Sequence, residues 1–457
     1  MAHVLLANPR ISDFALWDSL ARVLLRRGQR LTLLATDAVQ ARFFAEHGQP
    51  VLRVAMRRAR RLGDPTLRPH AERDARLGGR AGDSRAIRDA ERVLAGFADG
   101  LLRAFETLAP DLVITINGRS GTDRLLHDTA RMFGIATIHL GDGLIAGTLQ
   151  RDLDGIDGDR SGRAWLSQPG PQSTDVDRAL LDAGLAIALA GAPPQCGPPA
   201  RAVLPPPWLA SLCTAIARPR AIRRRMQRSL ASWEALVNGG DDETAVTRFA
   251  PSKLPHAVVL LQDPSDARLL LDAAPKPPSA RELIDAARAA SALIDLPPHV
   301  VVVSGHHDTQ LARELAGDRE LEIAPPHCAP SLAATASLVV TVNHAAAFAG
   351  VLAGTPVLCL GGSRYANDRL GIRADNRELR SAVAIALATR SRAERHLELT
   401  TILRDEHLWC DRFRPDPNGL AGLAGWIEAI LEKAAPPPPP VHYEPGPTWP
   451  GTEMELG

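Results

Sequence analysis

Residues 338–373, LVVTVNHAAAFAGVLAGTPVLCLGGSRYANDRLGIR, restrict the fold more than any other stretch of the chain. Leu338 to Val342 is a mostly β-branched run of strand length that breaks at Asn343-His344. An alanine-rich segment of small residues follows with helical composition, then a second short apolar run, Pro356 to Leu360, ending at Gly361-Gly362. Strand, helix and strand in that order predict a βαβ unit of an open parallel sheet. Polar residues at the carboxyl end of its first strand stand where such sheets bind phosphates and nucleotides. Small side chains allow the helix backbone to approach sheet and ligand closely. The pattern alone favours an ordinary βαβ unit with no ligand.

The same alternation recurs along the chain. Val4 to Leu6, Leu31 to Ala35, Val51 to Val54, Leu112 to Ile116 and Ala136 to Leu140 read as strands. Helical stretches separate them, the first capped by Ser12 or Asp13 and stopped by Gly28. Residues 57–92 are arginine-rich and predict an exposed, partly helical excursion. Residues 191–207, GAPPQCGPPARAVLPPP, are a proline-rich break, followed by the basic run RPRAIRRRMQR at 218–228. A second succession begins near Ala257, with strands at 257–261, 299–303, 338–342 and 356–360 and a last helix at 419–433. The proline-rich tail after it lacks the apolar residues to build a core.

The resulting expectation is an α/β chain of two Rossmann-like domains, glycosyltransferase-B-like, with a disordered tail. Its expected divisions are an acceptor-side domain at 1–190, a connection at 191–250, a nucleotide-sugar domain at 251–434 and a tail at 435–457. A single large doubly wound domain is the alternative.

Composition narrows the partners. Lys plus Arg number 53 and Asp plus Glu 52 in 457 residues, so no global field draws in nucleic acid. The five cysteines are scattered and include no CxxC pair, which argues against a disulfide framework or a zinc site and fits a reducing cytoplasm. No segment is an unbroken apolar run of membrane-spanning length. The basic runs at 57–61 and 218–228 read as solvated surface, or as contacts for an anionic inner-leaflet membrane that would make the protein peripheral there.

Four polar clusters fall at or near predicted strand ends. In the first, Gly121 to His127, Arg124 and His127 stand three apart at a helical start and share a face; they could bind an anionic or hydroxyl-rich substrate, or simply belong to a polar surface helix. The second, Gly141-Asp142-Gly143, places a carboxylate between glycines, either for acid–base work or as a plain turn. The third is Gln262-Asp263-Pro264-Ser265-Asp266, where Asp266 is a nucleophile or sugar ligand, or simply a helix cap. The fourth is Ser304-Gly305-His306-His307-Asp308, whose histidines suit phosphate contact better than a metal, because adjacent residues rarely aim at one ion.

Taken together, these clusters resemble the bacterial capsule polysaccharide synthesis family, most nearly its single-module β-Kdo transferases. The family block N-S-T-V-G-L-S-A-L-x-x-G-x-P-V-x-x-L-G-x-x-x-Y aligns without a gap from Asn343 through Gly354-Thr355-Pro356-Val357 to Tyr365. Its Q-V-x-x-D corresponds to Gln262 through Asp266, its H-P to His306-His307, its G-D-x-R-x-x-H to Gly121 through His127, and its E-E-G to Gly141-Asp142-Gly143. The resemblance implies transfer of a Kdo-like sugar from a CMP-activated donor, with retention, to a phospholipid or glycan acceptor in surface polysaccharide assembly. It implies Asp266 as nucleophile and Asp142 as acid/base. It also implies His306, Asn343, His344 and Gln262 as donor and phosphate ligands, Arg124 and His127 on the acceptor side, and no cofactor or metal. His344-Ala345 stands where the family has Ser-Thr, and Gly141 where it has the first Glu. Two alternatives follow: a non-catalytic scaffold of the same machinery, or a transferase using a different nucleotide sugar.

Overall fold

The computed structural model describes residues 1–56, 59, 65–145, 147–153, 155, 174–190, 209, 220–238, 254, 256–262, 266–272, 277–304, 318–367, 369–374, 378–388, 393–412 and 415–433. The strands in chain order are β1 (His3–Ala7), β2 (Arg30–Ala35), β3 (Val51–Arg53), β4 (Leu112–Ile116), β5 (Ala136–Asp142) and β6 (Leu149–Asp152). They continue with β7 (Ala257–Leu260), β8 (Val300–Val303), β9 (Leu321–Ala324), β10 (Leu338–Thr341), β11 (Val357–Cys359), β12 (Ile372–Arg373) and β13 (His407–Leu408). They form a seven-stranded sheet in the order β13-β6-β5-β4-β1-β2-β3 and a six-stranded sheet in the order β12-β11-β10-β7-β8-β9. The second sheet is parallel throughout. The first is parallel except where β6 pairs antiparallel with β5 and β13. Two Rossmann-like halves are thus present, as the glycosyltransferase-B-like expectation requires.

Period-two alternation explains how each sheet is covered on both faces. In β1, Val4 and Leu6 join the core beneath the helices Phe14–Arg26 and Ala38–Glu46, while Leu5 and Ala7 face the helix Ser84–Leu108. In β7, Val258 and Leu260 pack on one side, and Ala257 and Val259 on the other. The short helices Ala329–Thr335 and Ala347–Ala353 lie so close that a Cβ on Gly350 would come within 2.8 Å of the Ala333 carbonyl. The small residues of this stretch therefore serve helix–helix packing first.

The chain does not keep to the expected divisions. The helix Thr174–Ala190, expected in the first half, packs on the second through Ala188. Residues 220–228 of the basic run belong to a helix, Arg220–Asn238, that lies on the first half. It buries Met226 and Trp233 there, and Trp233 meets Phe43 edge-on at 5.2 Å. Residues 407–433, expected in the second half, return to the first: β13 extends its sheet, and the helix Pro417–Lys433 packs on Phe14–Arg26, where Arg27 pairs with Glu428 at 2.6 Å. Hydrophobic surface decided these placements, since a helix docks wherever its apolar stripe finds a matching face. The runs at 57–58, 60–61 and 191–207 and the tail 435–457 lie outside the described residues.

No described helix is long and apolar enough to cross a membrane. Among the described residues no group of three or more His, Cys, Asp or Glu is placed to hold a metal ion.

Candidate active site

Between the two sheets lies a cleft of about 340 Å³ whose wall includes Asp142 from the first half and Asp266, Arg268 and His344 from the second, with Arg119 beside them. Two carboxylates that stand 124 residues apart in sequence thus face one space.

Asp142 is the last residue of β5, which runs two residues further than the expected strand because Gly141 and Asp142 pair with Gln150 and Leu149 of β6. The glycine after it has a packing cause: a Cβ on Gly143 would fall 2.0 Å from Thr148 Oγ1. The Asp142 side chain remains 41% exposed. Its Oδ1 receives a hydrogen bond from Arg412 Nη1 at 2.5 Å, and its backbone carbonyl receives one from Arg268 Nη2 at 3.1 Å. Burial by itself would push this carboxyl up, but the guanidiniums of Arg412, Arg10, Arg119 and Arg268 outweigh it and hold it below the usual range. Asp142 is therefore ionised at neutral pH, which suits a base rather than a proton donor.

Asp13 lies behind Asp142, 2% exposed, at the start of the first helix. Its Oδ1 accepts from Ser12 Oγ at 3.0 Å and lies 3.8 Å from Arg412 Nε. Burial raises its pKa, against the opposing pull of Arg10 and Arg412.

On the facing wall, Asp266 precedes the helix Ala267–Asp272, and its Oδ1 accepts the Arg268 N–H at 2.8 Å. The helix-cap reading is thus realised in the same side chain that lines the cleft. Its Oδ2 accepts from Gln262 Nε2 at 3.3 Å, and Gln262 Oε1 accepts the Asn343 N–H at 3.1 Å. Asn343 Nδ2 donates to the carbonyls of Arg268 and Gly362, both at 3.0 Å. Gln262 and Asn343 therefore act as braces that fix the wall carrying Asp266, and Asn343 is only 2% exposed.

His344 reaches the cleft as a neutral ring. Its Nδ1 accepts the Ala346 N–H at 3.1 Å, and burial pushes its pKa down to about 4. A protonated His344 offering charge to a phosphate is inconsistent with this environment. Its carbonyl accepts from the buried Tyr365 hydroxyl at 2.6 Å, which anchors the loop.

Gln262 and Asn343 stand behind the cleft wall without lining it, and two more of the expected residues, Arg124 and His127, are not brought to the cleft. His127 is 3% exposed, and its Nδ1 stands 3.2 Å from Nε2 of the fully buried His139, whose Nδ1 is 2.6 Å from Thr115 Oγ1. Burial first, then His127 and Arg124, push His139 well below the ordinary histidine pKa. Arg124, on the same helix, does not line the cleft either. His127 is turned onto β5, where His139 lies. His306 lies outside the described residues.

The sequence reading missed Arg119 and Arg268, which line the cleft, and Arg412 and Arg10, which act with them on Asp142. Arg119 has a local signal, because Asn117-Gly118 before it is a turn dipeptide at a strand end. Arg412 has none: it meets Asp142 across 270 residues.

No protein-family model matches the chain, and no curated protein matches it in sequence. Among solved structures the chain is similar to the glycotransferase of kitacinnamycin, at 15% identity over 95% of this chain and 99% of that one with a TM-score of 0.34. It is similar to the UDP-GlcNAc 2-epimerase of Methanocaldococcus jannaschii, at 12% identity over 95% and 100% with a TM-score of 0.33. It is also similar to MurG of Acinetobacter baumannii, at 12% identity over 94% and 100% with a TM-score of 0.31.

Proposed function

We propose that the protein is a glycosyltransferase that moves a sugar from a nucleotide-activated donor to a hydroxyl acceptor in the cleft between its two sheets. The observation that carries this reading is the meeting of Asp142 and Asp266, from different halves, in one cleft rimmed by arginines. On the family resemblance the donor is CMP-activated and Kdo-like, and the acceptor is a phospholipid or glycan of surface polysaccharide assembly.

The assigned roles follow from the environments. Asp266 attacks the anomeric carbon, a carbon–carboxylate bond forms, and the bond to the leaving phosphate breaks, with the electron pair departing on CMP. Arg268 and Arg119 offset the charge that collects on the phosphate. An acceptor hydroxyl then attacks the same carbon, its proton passes to ionised Asp142, and the ester to Asp266 breaks. Two displacements retain the anomeric configuration. CMP is a stabilised leaving group, so the first displacement does not require Asp142 as an acid. Its depressed pKa is thus compatible with the sequence.

Two observations favour the competing readings. A neutral His344 in place of a hydroxyl pair suits a donor other than CMP-Kdo. The helix-capping engagement of Asp266 suits a binding protein without catalysis.

The deciding experiment combines nucleotide-induced thermal shift with a transfer assay on donor panels. A CMP-, UDP- or GDP-dependent rise in melting temperature, with transfer abolished in Asp266→Ala, is the expected result. Saturating ligand at about a hundredfold its Kd adds roughly 2.7 kcal/mol, a readily visible shift. Full transfer by Asp266→Ala would sink the nucleophile assignment, and the absence of any nucleotide response would leave the scaffold reading.

A further inference from the structure

Two asparagines end adjacent strands of the first sheet in left-handed backbone: Asn8 after β1, with φ 54°, and Asn117 after β4, with φ 62°. Their side chains fare differently. Asn8 donates to Asp123 at 3.3 Å and accepts from Thr36 Oγ1 at 3.1 Å and Gln40 Nε2 at 3.2 Å, so its amide is consumed by the fold. Asn117 is 1% exposed, and among the described residues neither its Nδ2 nor its Oδ1 has a hydrogen-bond partner. Burying an amide without partners is costly enough that native proteins rarely do so away from water or a ligand.

The orphaned amide borders a space. Asn117, Asp13, Asp142 and Arg412 line a chamber of about 10 Å³ at the carboxyl ends of β4 and β5, otherwise walled by apolar side chains such as Leu16 and Leu140 and by Trp17, whose buried indole N–H also has no partner among the described residues. That volume is about the size needed for one water or one hydroxyl. Asp142 lines both this chamber and the main cleft. The loop is built to hold Asn117 in place: its N–H bonds the Leu140 carbonyl at 2.5 Å. The next residue, Gly118, is also left-handed and has no room for a Cβ, which would fall 2.5 Å from His139 Nδ1.

We propose that Asn117 and Asp142 form a buried subsite for a single hydroxyl-sized oxygen. The Asn117 amide donates to this oxygen through Nδ2 and accepts from it through Oδ1, and Asp142 lies alongside. The two sources of such an oxygen are a hydroxyl of a polyol or sugar acceptor and a bound water. The acceptor hydroxyl follows if the glycosyltransferase reading holds, on which this assignment rests. Asn117 is then a specificity-determining residue that fixes one hydroxyl of the acceptor beside the base.

Glycerol, as the smallest polyol probe, and UDP and CMP, as nucleotide probes, test this with the full chain by ligand-observed NMR and a high-resolution crystal structure. Asn117→Gly removes the amide while keeping a residue at home in left-handed backbone, and Asn117→Asp keeps the shape while removing the donor. The expected result is glycerol binding to the wild type that weakens about tenfold in both variants, with nucleotide binding unchanged and a glycerol oxygen found between Asn117 and Asp142. Equal glycerol binding by wild type and Asn117→Gly would overturn the subsite, as would no glycerol binding at all. A water that keeps its place in glycerol-saturated crystals would overturn the acceptor assignment. Failure of the wild type to bind any nucleotide would instead overturn the transferase reading, whatever the glycerol signal.

Discussion

Arg412 holds Asp142 through a 2.5 Å ion pair that joins the last segment of the chain to the cleft edge of β5. The pair fixes both the position and the charge of the carboxylate, because Arg412 leads the guanidiniums that keep it ionised.

Replacing Arg412 with Met should therefore act through Asp142. With the leading guanidinium gone, burial gains weight and the Asp142 pKa rises. The acid limb of the pH–rate profile should move to higher pH, with the rate at neutral pH falling. An unshifted acid limb in Arg412→Met would show that Asp142 does not titrate in the rate-determining step. Asp142→Asn should lower the rate about 10²–10⁴-fold, the usual worth of a positioned base, with little change in nucleotide affinity.

Asp266 offers a separable pair of readouts. Asp266→Asn retains a competent cap, whereas Asp266→Ala loses it at about 1 kcal/mol. Both should abolish transfer, and only Asp266→Ala should lower the urea midpoint. Equal residual activity tracking stability in the two variants would mark Asp266 as a cap alone.

Acid should destabilise the folded chain. His3, His139, His256 and His344 all have pKa values lowered from the ordinary 6.5, burial being the first cause in each. Below pH 6.5 the unfolded chain takes up protons that the folded chain refuses, so stability declines as pH falls through that window. The lowered Asp142 and Asp128 extend the loss at more acid pH, while the raised Asp13 opposes it. Urea midpoints measured between pH 7.5 and 5 should fall steadily, and a flat series would contradict the buried neutral state of these rings.

Gly350→Leu should be strongly destabilising, because even the first side-chain carbon meets the Ala333 carbonyl at 2.8 Å. A loss of about 1–3 kcal/mol is expected for overpacking such a contact. Differential scanning calorimetry would register it, and a loss below a few tenths would mean that the two helices separate freely.

Much of this arrangement was legible in the sequence, because the parallel strands are short, apolar and bounded by turn residues. Leu112 to Ile116 and the starts of β5, β7 and β10 follow directly from that pattern. Four strands escaped: Leu149–Asp152 carries three polar residues in four, β12 and β13 have two residues each, and β9, four residues interrupted by Glu322, is a sheet edge of which only Ala324 is fully buried. Asp142, Asp266 and His344 were findable because strand ends are where such sheets expose polar groups. His127 misled because helical spacing gives a face but not what covers it. Arg412 was invisible because its contact depends on the chain's return across the molecule.

That return carries a consequence for synthesis. The helix Pro417–Lys433 buries Leu420, Leu423 and Ile427 in the same core as Trp17 and Leu20, and His407 pairs with Gln150 at the edge of the first sheet. A chain growing from its amino terminus therefore makes the first half early and closes it late. Until residues 407–433 emerge, an apolar face and an unpaired strand edge stay open to solvent. Truncation near residue 406 should accordingly unravel the beginning of the protein before it disturbs the residues next to the cut.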